Sequence, residues 1–314
     1  MSYLPPTRKE AVIVLVSTLS FLLLTAVFIG LRPEHIAMAV VLDVLLFASL
    51  YTRKLVVALL PFVVFAVSYD WMRVWPNYMV NDIDVAGLYS AERTIFGIDV
   101  DGVRMTLCEF FHEHHCSVAD FFAGLFYLCW VPVPVLFALS LFIKGRRELA
   151  LRFSLVFLLV NLIGFAGYYI HPAAPPWYVM QYGFEPILGT PGNVAGLGRF
   201  DALAGMDIFA PMYGRNANVF AALPSLHSAY MPVAFTYAVM GRCKKWLIAL
   251  FGIIMVGIWF TAIYSGHHYM IDVLTGIACA VIGILLFEQV FMRLPVFRRF
   301  MFRYIAYILS LIHI

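Results

Sequence analysis

The chain has 314 residues, of which 63% are hydrophobic and only 12% charged, with a mean hydropathy of +0.90. Soluble domains carry roughly a quarter charged residues, so a soluble globular protein is excluded. The net charge of +3 is too small for a nucleic-acid binder, and in a membrane protein the placement of Lys and Arg matters more than their sum.

Taken in chain order, apolar runs of about 20 residues recur from end to end. The first, Ala11 to Gly30 behind Arg8 and Lys9, is longer than a signal-peptide core and no Ala-x-Ala site follows it, so it reads as a retained span. Further runs at 35–51, 55–72, 121–143, 153–170, 223–240, 246–264 and 268–291 bring the expected count to eight. Asp43 lies mid-way along the second and calls for a polar partner or an ion path. The expected fold class is all-α, a polytopic transmembrane helix bundle. Two N-terminal helices (1–54) precede a six-helix catalytic membrane domain (55–300). A basic and apolar tail (301–314) follows, whose run Ile305 to Ile314 looks truncated or non-native.

Short basic breaks separate alternate spans. Arg8, Lys9, Arg53, Lys54, Lys144, Arg146, Arg147, Arg152, Arg242, Lys244, Lys245, Arg293, Arg298, Arg299 and Arg303 fall in them, which is 15 of the 21 Lys and Arg. The positive-inside rule then places both termini in the cytoplasm. The compact loops lean toward a bacterial inner membrane. Two long outer loops remain, at about 73–120 and 171–222, and loops of that length usually carry function. The first is acidic, with Asp82, Asp84, Glu92, Asp99, Asp101, Glu109, Glu113 and Asp120, and its stretch Met105 to Phe111 suits a membrane surface. Cys108, His112 and Cys116 have ligand chemistry for zinc. However, His112-Glu113-His114-His115-Cys116 lacks the metalloprotease spacing, and an interfacial stretch explains it better. Five cysteines cannot all pair; Cys108 and Cys116 could bridge only in an oxidising compartment. No metal or other cofactor is expected. Glu288 reads as interfacial beside Arg293. Most tryptophans fall near span ends, where aromatic belts form. Gly164, Gly167, Gly276 and Gly283 suit close helix packing.

Two histidine motifs open spans at the same expected membrane face: Pro-Ser-Leu-His-Ser-Ala-Tyr (224–230) and His-His-Tyr-Met-Ile-Asp (267–272). His268 and Asp272 are four apart, one helical turn on one face. The carboxylate can fix the ring tautomer and raise the basicity of the far nitrogen, which can attack phosphorus or take a proton. His227 on a facing helix could protonate a leaving oxygen. Pro224 and Ser225 stand at a helix start, where free N–H groups bind anions. Arg215, or else Arg199 or Arg93, could neutralise phosphoryl oxygens. Each histidine alone has an ordinary structural explanation; two such elements at one level weigh toward chemistry.

These motifs resemble the second and third motifs of the type-2 phosphatidic acid phosphatase superfamily, in particular its inositol phosphorylceramide synthase branch. His-Pro-Ala-Ala-Pro-Pro-Trp-Tyr (171–178) and Asn218-x-Phe220 are similar to further elements of that branch, and the resemblance covers about residues 90–290. It implies a six-helix catalytic core in which His268 is the nucleophile, Asp272 its orienting partner and His227 the acid and base. It also implies a substrate- and phosphate-binding set of Arg215, Ser225, Ser228, Tyr178, Trp177 and His267. The implied reaction moves a phosphoinositol head group from a phospholipid to a ceramide-like acceptor through a phosphohistidine, without metal. Leu226 stands where the wider superfamily has Gly, Ser265-Gly266 lacks its Arg, and no Lys-containing first motif is found, departures that argue against a simple phosphatase. A lipid phosphatase of the same fold stays open as an alternative. So does a transporter using Asp43, Asp272 and the histidines as a relay, though no inverted repeat is visible.

Overall fold

The computed structural model describes residues 6–309. In chain order the α-helices are α1 (Arg8–Phe28), α2 (Pro33–Ala48), α3 (Leu50–Trp71), α4 (Ala86–Phe96), α5 (Leu107–Glu113), α6 (Ser117–Tyr127), α7 (Pro132–Ile143), α8 (Arg147–Ile170), α9 (Pro176–Tyr182), α10 (Gly198–Ala204), α11 (Phe209–Tyr213), α12 (Leu226–Met240), α13 (Lys245–Tyr264), α14 (Met270–Leu285) and α15 (Pro295–Leu309). Among the described residues, five helices are long and apolar enough to cross a membrane: α1, α3, α8, α13, and α14 with its continuation through a π turn to Arg293. The bent pair α6 and α7 makes a sixth if counted as one span. At 16 and 15 residues, α2 and α12 fall short of the ~20 residues of a full crossing.

One departure from all-helical structure lies in the first long loop. Ile98–Val100 and Val103–Met105 form an antiparallel hairpin closed by Asp101-Gly102, both at positive φ. Asp-Gly between β-branched residues is the usual signature of such a turn, and the helix-based reading missed it. The stretch expected on the membrane surface is α5. It lies across the end of α13, with Phe111 against Phe260 and Tyr264.

The helices have two distinguishable ends. At the basic end Arg53 reaches Glu10, Lys54 Nζ donates to the Tyr307 carbonyl and Arg147 to that of Ile308, and Arg146 donates to the Gly241 carbonyl. These contacts seat α15 against α3 and α8, so residues up to 309 of the tail are packed; 310–314 lie outside the described residues. Glu288 does not pair with Arg293. It is ion-paired to Arg152 and accepts from the Tyr237 hydroxyl, while Arg293 donates to Gln289. Asp43 accepts from Thr18 of α1 at 2.8 Å, the polar partner its depth demanded.

α8 and α12 form the centre, packed on each other and on α14, with α3 and α7 against α8 and α13 against α12. Between them runs an aromatic core that includes Phe62, Phe65, Phe153, Phe157, Tyr230 and Tyr237. Lipid tails are as apolar as Leu, so helix association rests on close packing and small residues. All four glycines expected to serve this role do so. A Cβ on Gly164 would meet Leu226, and one on Gly167 would meet Pro224. A Cβ on Gly283 would meet Val160, and one on Gly276 would fall 2.0 Å from the Ser225 carbonyl oxygen and 2.2 Å from Ser228 Oγ. Three of the four thus receive the 224–228 segment. Gly276→Ala is expected to cost about 1–3 kcal/mol of stability by overpacking, read as earlier thermal unfolding in detergent. Gly252→Ala, whose Cβ would find its nearest neighbour at 3.6 Å, should unfold like the wild type.

Candidate active site

α13 ends at Tyr264 and the chain turns sharply through Ser265 and Gly266, which has φ +73°. The backbone amides of His267 and His268 both donate to the Ala262 carbonyl, at 3.1 and 2.9 Å, so the turn delivers two histidines side by side before α14 begins. Asp272, in the first turn of α14, accepts from the Tyr269 amide at 2.9 Å through Oδ2. That oxygen also lies 3.5 Å from His268 Nδ1. This is longer than a normal hydrogen bond, and both His268 Nδ1 and the buried Asp272 Oδ1 have no other partner. Catalytic hydrogen bonds are often long before substrate binds.

The 224–228 segment is stitched to the same helix. The Ser225 amide donates to the Asp272 carbonyl at 2.9 Å, and Ser228 Oγ donates to the carbonyls of Ser225 and Val273 at 2.7 and 3.0 Å. Trp259 Nε1 donates to the Ser228 carbonyl. His227 therefore enters from α12 with its Nδ1 at 3.1 Å from His268 Nε2. Buried Asp272 and His268 and half-buried His227 stand in one relay.

The relay borders a cavity of about 90 Å³, lined by all three histidines with Tyr69, Trp130, Tyr168, Trp177, Tyr213, Asn216, Asn218 and Tyr230 among others. A water needs roughly 10–15 Å³ of such volume, so the cavity suits a phosphoryl group or a few waters, and a whole lipid head group enters only if the walls move. Trp130 stands 4.5 Å and Tyr127 5.0 Å from the His227 ring. Tyr213 is 4.2 Å from the His267 ring, and its hydroxyl donates to that of Tyr127 at 2.7 Å. Burial pushes the Tyr213 phenol up, so it remains a neutral donor. Burial, then the neighbouring His268, depresses His267 to about 3. Its Nδ1 lies 2.9 Å from Ser265 Oγ and its Nε2 3.3 Å from the Asn193 carbonyl.

Of the residues the sequence singled out, His227, His268, His267 and Trp177 line the cavity, and Asp272 backs His268. The others are not brought there. Arg215 points outward and pairs with Glu34. Arg199 is held by Asp120 at 2.6 Å, and Arg93 by the Arg104 carbonyl. The Tyr178 hydroxyl is spent on the Glu185 carbonyl and the Ile187 amide, and Ser228 on backbone carbonyls as above. Ser225 is buried beside the relay, its Oγ without a partner. No Lys or Arg is among the lining residues. The five cysteines are free, and Cys108 donates to the His268 carbonyl at 3.3 Å. Among the described residues no group of three or more metal-ligating side chains is found.

Sequence reasoning gave no part to Tyr127, Trp130 or Tyr213, nor to Glu92. The Glu92 side chain, on α4 and fully buried, accepts from the amides of Met270 and Ile271 at 2.9 and 3.1 Å. It thereby caps the helix that carries Asp272. Burial raises its carboxyl and those two amides pull it back. Only its place in an acidic loop hinted at this. The loop strands are tied alongside: residue 173 bridges both 84 and 221, and Asn77 donates to the Tyr168 and Phe220 carbonyls while accepting from Asn218.

Comparison with known proteins identifies the family. The model of the PAP2 superfamily matches residues 97–286. The chain is 64% identical over 303 residues to the phosphoinositol dihydroceramide synthase of Bacteroides thetaiotaomicron, covering 96% of this chain and 99% of that protein. It is 31% identical over 217 residues to the inositol phosphorylceramide synthase of Candida albicans, covering 66% of this chain and 42% of that one. With the catalytic subunit of the Saccharomyces cerevisiae enzyme it shares 27% over 224 residues, 69% and 52% of the two chains. The chain thus spans about half the length of these fungal relatives. No solved structure matches it.

Two outcomes are expected. Glu92→Ala should uncap α14, lowering stability by about 1–3 kcal/mol and reducing turnover, with melting and initial rates as the readouts. The folded chain keeps His267 neutral down to about pH 3, whereas an unfolded histidine protonates near 6.5. Between those values the unfolded state binds more protons, so this contribution is complete above pH 6.5 and is lost as pH falls toward 3. Melting temperatures of His267→Gln should depend less on pH between 7 and 4 than those of the wild type.

Proposed function

The chain belongs to the PAP2 superfamily, and from that membership we propose that it is a membrane phosphotransferase moving the phosphoinositol group of a glycerophospholipid to the primary hydroxyl of a ceramide or dihydroceramide. The observation that carries this reading is the Asp272–His268–His227 relay at the wall of an aromatic cavity. The names of its relatives supply the substrates.

Asp272 holds the proton of His268 on Nδ1 and leaves the Nε2 lone pair free. Nε2 attacks phosphorus, the bond from phosphorus to the diacylglycerol oxygen breaks, and protonated His227 gives that oxygen its proton. The positive charge that develops on the His268 ring faces the Asp272 carboxylate in a buried, low-dielectric setting, where such stabilisation is strongest. The phosphodiester anion is the counter-ion of the His227 imidazolium, with the Trp130 ring against it. Diacylglycerol leaves, and the acceptor hydroxyl takes its place. Neutral His227 removes the hydroxyl proton, the oxygen attacks phosphorus, and the bond to Nε2 breaks to restore His268. Nucleophile and leaving group lie on opposite sides of an in-line phosphorus. The two rings, 3.1 Å apart without substrate, must therefore separate to admit it. Trp177 and the other aromatic walls exclude water, which favours an alcohol acceptor over hydrolysis. Neutral hydroxyl and amide donors that line the cavity, such as those of Tyr69, Tyr213, Asn216 and Asn218, substitute for the absent arginines.

The bundle crosses the bilayer eight times, with α6 and α7 as one crossing. α2 and α12 support this count because each joins the two ends. The α2 start pairs with the α3 end through Arg32, His35 and Asp70. α12 runs from the histidines to a loop held by Arg146. The basic end faces the cytoplasm with both termini, and the histidines face the outside.

Given labelled phosphatidylinositol and ceramide, the purified protein should form labelled phosphoinositol-ceramide. Release of inositol phosphate or phosphate at the same rate without ceramide would show a phosphatase instead. His268→Ala should lose at least about 10³-fold in rate, the scale for a group acting only in the transition state. With a chiral phosphorothioate donor the two displacements should retain configuration at phosphorus; inversion would sink the phosphohistidine.

A further inference from the structure

The crossing formed by α6 and α7 has two halves with different neighbours. α6 packs along α13, but the axis then bends by 42° and α7 leaves α13 for α8 and α3. A wedge of about 630 Å³ opens between α7 and α13 at the basic end, within the range of roughly 300–1,000 Å³ typical of small-molecule sites. It shares no lining residue with the histidine cavity. Phe137 and Phe251, ring centroids 5.1 Å apart and perpendicular, close its apex. Val133, Leu136, Leu250 and Ile254 form its walls, and Lys144, Arg146, Arg242 and Lys244 its mouth.

The mouth is built rather than incidental. Arg146 donates to the Gly241 carbonyl and lies 3.6 Å from Cys243 Sγ, which pins the α7–α8 turn to the α12–α13 turn. Lys144, Arg242 and Lys244 are exposed. Among the described residues none of the four cations takes part in an ion pair. An apolar cleft that opens sideways between two spans takes up hydrocarbon, and unpaired cations at its head-group level select for negative charge.

We propose that this wedge holds one acidic phospholipid, from the leaflet opposite the histidine cavity. Its phosphate is bound by Lys144, Arg242 and Lys244, and one acyl chain lies between α7 and α13. The proposal needs α13 and the α6–α7 pair to span the bilayer; it does not depend on the phosphotransfer reading.

The test is native mass spectrometry of the full chain released from micelles containing equal amounts of dioleoyl-phosphatidylglycerol and dioleoyl-phosphatidylcholine. The wild type should retain a single phosphatidylglycerol with a preference of about tenfold or more, as expected for three surface cations. A Lys144→Gln, Arg242→Gln, Lys244→Gln variant should lose the preference. Leu250→Trp, which fills the wedge and leaves the cations, should lose the lipid itself. Soluble glycerol 3-phosphate should not displace it. No preference in the wild type, an unchanged preference in the triple variant, unchanged retention in Leu250→Trp, or displacement by glycerol phosphate would each overturn the proposal.

Discussion

The arrangement depends on one close approach. The backbone of the 224–228 segment lies against Gly276 of α14, where even a methyl group would collide with the Ser225 carbonyl. Gly164 and Gly167 of α8 admit the same segment from the other side. In a bilayer no hydrophobic force presses helices together, so contact at this distance must be built from small residues and backbone hydrogen bonds. The bonds are present, from the Ser225 amide and the Ser228 hydroxyl to the carbonyls of Asp272 and Val273. The spacing of His227 and His268 is thus set by main chain against main chain, which is stiffer than any pair of side chains.

The loops outside the bundle extend that rigidity. Glu92 places a carboxylate on the first amides of α14, satisfying two donors that a helix start leaves open and favouring the positive end of its dipole. The strip at 172–174 pairs with both neighbouring loop segments, and Asn77 and Asn218 bind the chain leading to α12. Long loops of this kind are frequently lids; here they also fix α14 at the end that carries Asp272.

Charges in the bundle divide by setting. Those deep between helices are matched, such as Asp43 by Thr18 and Glu288 by Arg152 and Tyr237, since an unpaired polar group there is costly. The partner of Glu288 was misread because Arg293 is near in sequence and Arg152 near only in space. For the same reason Arg215, Arg199 and Arg93 suggested a phosphate clamp, yet each is engaged elsewhere. An arginine can reach far enough to serve several partners, and spacing along the chain does not choose among them.

Apolar runs, basic breaks and motif spacing, read from the sequence alone, determined that the chain is a membrane helix bundle. They also determined that packing glycines recur on 153–170 and 268–291 and that His268 and Asp272 stand close together, although His268 sits in the turn before α14 and not on a helical face shared with Asp272. Those properties follow from local periodicity and from the energy of placing charge in lipid, which need no knowledge of neighbours. Only the tertiary structure decided that His227 meets His268 nitrogen to nitrogen, that Tyr127, Trp130 and Tyr213 enclose the histidines, and that Glu92 caps α14 from 178 residues away. Each of these contacts joins segments distant in sequence. Aromatic and acidic residues are common at membrane interfaces, so composition carries no mark of which few of them face the site.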